Sequence, residues 1–95
     1  MDDAVTIVTG KKIDAVNAPL LEKQLNAILD EGEISLIIDM KDTTYISSMG
    51  LRVFLAAQKK IRVKNGNMVL MHVMPQVMEV FDVTGFSGLL TFGDD

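Results

Sequence analysis

The sequence contains no cysteine and only one histidine, His72, among its 95 residues. A disulfide framework, a thiolate metal site and a site built from several histidines are therefore excluded. Gly10-Lys11-Lys12 lacks the glycine frame of a phosphate-binding loop, and paired carboxylates do not occur at a recognisable spacing. We therefore expect no metal, no cofactor and no enzymatic activity.

Long hydrophobic runs are also missing. The apolar runs extend over a few residues, whereas roughly 20 are needed to cross a bilayer, and Met1-Asp2-Asp3 does not begin a signal peptide. The net charge of −4 disfavours binding to nucleic-acid phosphates. We expect a soluble cytoplasmic protein that binds neither membrane nor nucleic acid directly. The clustered basic residues fall late in a predicted helix, where they complement its dipole: Lys59, Lys60, Arg62 and Lys64.

Strand and helix patterns alternate along the chain. Residues 5–9, 35–40 and 67–73 predict strands, and residues 13–14 and 89–92 predict shorter ones. Tyr45-Ile46 is expected to return to the core after the loop that follows residue 40. Helices are predicted from Asn17 to Gly32, from Ser48 to about Lys64, and from Pro75 to Gly85. This order predicts one α/β domain over residues 1–95, with mostly parallel neighbouring strands.

The two longer predicted helices each carry an apolar stripe. Asn17 is expected to cap the first of them by accepting from first-turn N–H groups. The residues expected to face inward are Leu20, Leu21, Leu25, Ile28 and Leu29 in the first helix and Leu51, Phe54, Leu55 and Ile61 in the second. Those expected to face solvent in the second helix are Arg52, Gln58, Lys59 and Arg62.

The segment Tyr45-Ile46-Ser47-Ser48-Met49-Gly50-Leu51 places two serines where a loop meets a helix N-terminus. In one interpretation, one serine is the N-cap and nothing more. In the other, the free N–H groups and partial positive charge of the helix start favour a phosphorylated serine. A serine hydrolase is a third possibility, but the Gly-x-Ser-x-Gly elbow is missing. Its base would have to be His72, which we expect to be a satisfied histidine of the core or sheet face.

Four segments resemble the bacterial anti-sigma factor antagonists, which are STAS domains. They are Ile13-Asp14-Ala15 with the following Asn17-Ala18-Pro19-Leu20, then residues 37–53 around the two serines, Asn65-Gly66, and residues 80–86. The resemblance implies a small mixed, largely parallel sheet of four to five strands with helices packed mainly on one side.

The resemblance also implies a function. Such a protein binds an anti-sigma factor that is also a serine kinase, and this binding releases a sigma factor. Phosphorylation by the kinase breaks the complex, and a metal-dependent serine phosphatase of the PP2C type restores it. By position the phosphorylated residue is Ser48, with Ser47 as second choice. The residues expected at the partner surface are Asp14, Ser47, Ser48, Met49, Gly50 and Arg52.

Two departures from the family pattern leave an alternative open. Ser47 stands where aspartate is frequent in the family, and Met49 replaces a small residue. The alternative is a scaffold of the same fold, in a signalling or transporter-associated complex, that is never phosphorylated. We expect a monomer or a weak dimer, since the N-terminal edge of the sheet is short.

Overall fold

The computed structural model describes residues 4–93. The ends of the predicted domain, including the segment examined for a signal peptide, lie outside these residues. In chain order the elements are β1 (Val5–Val8), β2 (Lys12–Ile13), α1 (Ala18–Asp30), β3 (Ser35–Asp39), β4 (Tyr45–Ile46), α2 (Ser48–Val63), β5 (Asn67–Met71), α3 (Pro75–Thr84) and β6 (Thr91–Gly93). A single 3-10 turn, Phe86–Gly88, joins the last two.

The main sheet has four strands in the order β1-β3-β5-β6, and every neighbouring pair is parallel. β2 and β4 form a separate parallel pair in which Ile13 lies beside Ile46. The predicted α/β class and the largely parallel sheet are confirmed. The strand of continuous apolar character, β3, is interior to the sheet, as its lack of alternation indicated.

The core lies between one face of the sheet and the three helices. Alternate strand residues on that face are buried: Ile7, Leu36, Ile38, Met68 and Leu70. Phe92 is in register with Leu70, and its ring meets Phe81 of α3 edge-to-face at a centroid distance of 5.2 Å. The third helix therefore covers the same face of the sheet.

Two of the inward and outward assignments in the helices are wrong. Leu20 is 65% exposed, because the buried stripe of α1 follows Leu21, Leu25 and Leu29 and leaves the preceding leucine about a quarter turn away. Gln58 is only 4% exposed, and no hydrogen bond reaches its Oε1 within the described residues. The buried face of α2 is broader than one stripe, since it extends from Val53 and Ala57 round to Leu51 and Gln58.

His72 was predicted to be a satisfied histidine within a strand; its placement is wrong, because β5 ends at Met71 and His72 follows in a loop, but its ring does have a hydrogen-bond partner. Its backbone has φ 59°, a left-handed conformation that is uncommon for histidine. Its Nδ1 lies 2.9 Å from Oδ1 of Asp39, at the end of the neighbouring strand β3. His72 is thus a partly exposed loop residue that joins two strand ends.

The pKa of the Asp39 carboxyl lies below its ordinary value. The hydrogen bond from His72 is the main cause, and partial burial opposes it. The backbone N–H of Lys41 and the charge of its ammonium group, 3.5 Å from Oδ2, lower the pKa further. The folded state therefore favours ionised Asp39.

We predict that Asp39→Asn lowers the free energy of unfolding at neutral pH. A depressed pKa contributes stability above the unfolded-state pKa of about 4, and this contribution is lost as the pH falls and the carboxyl is protonated. The difference in free energy of unfolding between Asp39→Asn and the wild type should therefore shrink below about pH 4. Urea unfolding across this range measures it, with the exposed Asp42→Asn as the control for net charge. A difference that grew towards acidic pH would contradict the assignment.

Candidate functional site

The short pair β2–β4 brings two distant parts of the chain together. The hydroxyl of Thr43 donates to the carbonyl of Gly10 at 2.7 Å, and the N–H of Thr44 donates to the carbonyl of Lys11 at 2.8 Å. One residue past the pair, the N–H of Ser47 donates to the carbonyl of Ile13 at 2.8 Å. The start of α2 therefore lies directly beside the end of β2.

Gly50 makes this close approach possible. A Cβ built at this position would lie 2.6 Å from Cγ2 of Ile13, 2.9 Å from Cγ1 of Ile46 and 3.2 Å from the carbonyl oxygen of Ile13. Real Cβ atoms do not approach other heavy atoms as closely as the first two distances. Gly50 is buried, so it positions the first turn of α2 and is not itself an exposed contact residue.

The two serines have different environments. Ser47 is the N-cap residue, with extended backbone, and its Oγ accepts the N–H of Gly50 at 3.3 Å. Ser48 is the first helical residue and is exposed. Within residues 4–93, no hydrogen bond involves the Ser48 hydroxyl. The capping and the exposed hydroxyl thus belong to different residues.

Asp14 follows Ile13, whose carbonyl accepts the N–H of Ser47, but the Asp14 carboxylate is bonded within its own loop. Oδ1 accepts the N–H groups of Val16 at 3.0 Å and Asn17 at 3.2 Å. The sequence predicted that Asn17 caps α1 through its side chain, and this prediction is wrong. Its Oδ1 instead accepts the N–H of Asp14 at 2.8 Å. The pair closes the turn before α1, and the three-residue Asp-to-Asn spacing was the signal for it.

Several residues close to Ser48 in the chain have exposed side chains. Tyr45, on the solvent side of β4, is 51% exposed, and Met49 is 41% exposed. Arg52 is exposed one helical turn after Ser48, on the same side of α2. Sequence reasoning missed Tyr45, which was expected to return to the core. The site is an exposed surface of mixed character, with a hydroxyl near the positive end of a helix.

A family model, the STAS domain, matches residues 2–95. The chain belongs to the STAS domain family. BtrV of Bordetella bronchiseptica is 42% identical over 74 residues, which are 78% of this chain and 64% of BtrV, so the chain spans less than two thirds of that relative. The anti-sigma-B factor antagonist of Listeria monocytogenes is 31% identical over 88 residues, which are 93% of this chain and 77% of that protein.

A solved structure shares the fold. The Bacillus cell fate determinant SpoIIAA in its phosphorylated form superposes with a TM-score of 0.77 at 16% identity, over 98% of this chain and 83% of that one. No helix within residues 4–93 is long and apolar enough to cross a membrane.

We predict that Ser47→Ala destabilises the protein and that Ser48→Ala does not. Loss of an N-cap hydroxyl costs about 1 kcal/mol, whereas an exposed alanine at the first helical position changes stability by less than about 0.5 kcal/mol. Urea unfolding of both variants measures the difference. Equal losses in the two variants would show that the cap is assigned to the wrong residue.

We predict that Gly50→Ala destabilises the protein although alanine is the better helix former. The gain in helix propensity is about 1 kcal/mol, and the overlap with Ile13 and Ile46 is expected to cost about 1–3 kcal/mol. The backbone of β2 cannot retreat without breaking the bond from Ser47 to Ile13. Thermal unfolding measures the net loss.

The matched control is Gly10→Ala, because a Cβ at Gly10 meets nothing within 4 Å. It should leave the unfolding temperature nearly unchanged. If the two alanine variants unfolded at the same temperature, the close approach at Gly50 would not make that position sensitive to an added Cβ.

Proposed function

We propose that this chain is an anti-sigma factor antagonist that acts in the cytoplasm by binding a partner and not by catalysis. Its membership of the STAS family and its 31% identity to the Listeria anti-sigma-B factor antagonist support this role. The proposed partner is an anti-sigma factor with serine kinase activity, whose capture releases a sigma factor. The proposed contact surface is the start of α2 with Asp14, Ser47, Ser48, Met49 and Arg52.

Ser48 is the proposed phosphorylation site. The observation that carries this choice is the division between the two serines, because Ser47 uses its Oγ to cap the helix while the Ser48 hydroxyl is exposed. A kinase needs an accessible hydroxyl, and modifying Ser47 would first require the cap to break. SpoIIAA, which has the same fold, is known in a phosphorylated form, and this supports a modification within the fold.

The switch we propose is electrostatic. A phosphoserine carries a charge of about −1.5 to −2 at neutral pH. At Ser48 this charge would be added to a segment in which Tyr45 and Met49 are exposed and which a partner would otherwise cover. Burying the dianion in such a contact is costly, so phosphorylation would release the partner. A PP2C-type phosphatase would reach the same exposed residue and restore binding.

We predict that incubation with ATP and the cognate anti-sigma kinase adds one phosphate to the wild type and none to Ser48→Ala. Intact-mass spectrometry measures the addition. Ser47→Ala is the matched control, which should still gain the phosphate provided that circular dichroism shows it folded. Modification of Ser48→Ala but not of Ser47→Ala would move the site to Ser47.

Binding of the same kinase tests the switch itself. Ser48→Asp should weaken binding at least tenfold, whereas Ser48→Asn, of similar shape and without charge, should bind much more tightly than Ser48→Asp. Tight binding by every variant, with no phosphate added to the wild type, would favour the unphosphorylated scaffold.

A further inference from the structure

Two threonine hydroxyls meet in the interior of the protein. Thr9, directly after β1, is 5% exposed, and Thr43, in the loop between β3 and β4, is fully buried. Their Oγ1 atoms lie 2.5 Å apart. Burying a hydroxyl costs free energy unless it is hydrogen-bonded, and a valine at each position would fill the same space without a polar group to satisfy. Burial alone therefore does not account for the two hydroxyls.

The hydroxyl protons of this pair have a fixed order. Each hydroxyl has a single proton to donate. Thr43 donates its proton to the carbonyl of Gly10 at 2.7 Å, so Thr9 is the donor in the bond that joins the two hydroxyls. The other acceptor near the Thr9 hydroxyl, the carbonyl of Asp39, is 3.5 Å away, beyond the usual O–H···O distance. The result is a hydroxyl relay, which we define as the two bonds from Thr9 to Thr43 and from Thr43 to Gly10.

The hydroxyl relay joins the two places where the chain leaves the main sheet for the short pair of β2 and β4. The N–H of Thr9 donates to the carbonyl of Asp39 at 3.0 Å and so continues the pairing of β1 with β3. Gly10 then leads into β2, and Thr43 leads into β4. The two segments are therefore bonded to each other before the short pair begins.

The hydroxyl relay has the same register as the short pair. In that pair Ile46 lies opposite Ile13. Thr43 bonds to Gly10, three residues earlier in both segments, and so keeps the same alignment. A slip by one residue would place another residue opposite Thr43 and would turn the buried side chain of Ile46 towards solvent. Because two residues per strand specify a register only weakly, a buried bond at the entrance to the pair can determine it.

We propose that Thr9 and Thr43 are positioning residues, whose hydroxyl relay fixes the register of β2 and β4 and, through it, the residue at which α2 begins. The far end of this register is the bond from the N–H of Ser47 to the carbonyl of Ile13. In this register Ser47 caps the helix and Ser48 is exposed. The consequence for phosphorylation rests on the proposed function, whereas the register does not.

The hydroxyl relay determines which of two adjacent serines a kinase meets. Without it, the start of α2 is no longer held at one residue. A helix that begins one residue later has Ser48 as its cap and leaves Ser47 in the preceding loop. A kinase would then encounter both arrangements, and part of the phosphate would go to Ser47.

Amide hydrogen exchange followed by NMR tests the register without any partner. In Thr43→Val, the N–H groups of Thr44 and Ser47, which bond across to the β2 segment, should exchange roughly tenfold faster or more, relative to those of Ile38 and Leu70 in the main sheet. Thr43→Ser keeps the hydroxyl and should restore slow exchange. Equal acceleration at all four N–H groups would indicate a general loss of stability and would overturn the proposal.

Thr84→Val is the matched control. The Thr84 hydroxyl also donates to a backbone carbonyl, that of Val80, at 2.7 Å, but it lies at the end of α3. Its removal should leave the exchange of Thr44 and Ser47 unchanged. A control that accelerated this exchange as much as Thr43→Val would contradict a local action of the hydroxyl relay.

Phosphorylation by the cognate anti-sigma kinase tests the consequence. Fragment mass spectrometry should find the phosphate of the wild type on Ser48, and in Thr43→Val part of it should shift to Ser47. Thr43→Ser should return to the wild-type pattern, whereas destabilisation alone would not move the phosphate. An unshifted phosphate in Thr43→Val would rule out the positioning role. A wild type that gains no phosphate would instead refute the proposed function, and the exchange comparison would still decide the register.

Discussion

The first turn of α2 lies against the backbone of β2 because position 50 has no side chain. The hydrogen bond from Ser47 to Ile13 and the close approach of Gly50 fix the two elements to each other. β2 and β4 have two residues each, and so short a pair is not stable by itself. The helix covers the pair, and the pair determines where the helix begins. The exposure of Ser48 follows from this junction, because a helix that started one residue later would make Ser48 the cap.

Local pattern determined most of the fold. The interior strands β3 and β5 were recognisable as short apolar runs bounded by polar residues, although their burial alternates because the core lies on one face of the sheet. Helix α3 begins at Pro75 and is ended by Gly85, whose φ of 83° suits glycine. Such features depend on backbone preferences and on the period of the apolar residues, and a single sequence contains both. The helical pattern of apolar residues also located the start of α2 at Ser48.

The features that sequence reasoning missed depend on neighbours that are distant in the chain. Gln58 looked like a solvent-facing residue because one helical stripe was assumed, but α2 is buried over a wider face. His72 was assigned to a strand because apolar residues flank it, whereas its pairing with Asp39 depends on two strand ends meeting at one edge of the sheet. The environments of Ser47 and Ser48 could not be distinguished, since which of them caps α2 depends on the contact of that helix with β2.

The separation of cap and exposed hydroxyl has a consequence for regulation. If Ser48 were the cap, phosphorylation would remove a bond that holds the helix start and would couple the switch to local unfolding. With Ser47 as the cap, the bond to Gly50 persists when Ser48 is modified, and the nearby helix N–H groups favour the added negative charge. On the proposed function, the modified and unmodified proteins would therefore have the same backbone and differ in surface charge. A partner would then distinguish them by the cost of burying that charge, and the phosphatase would meet a folded substrate.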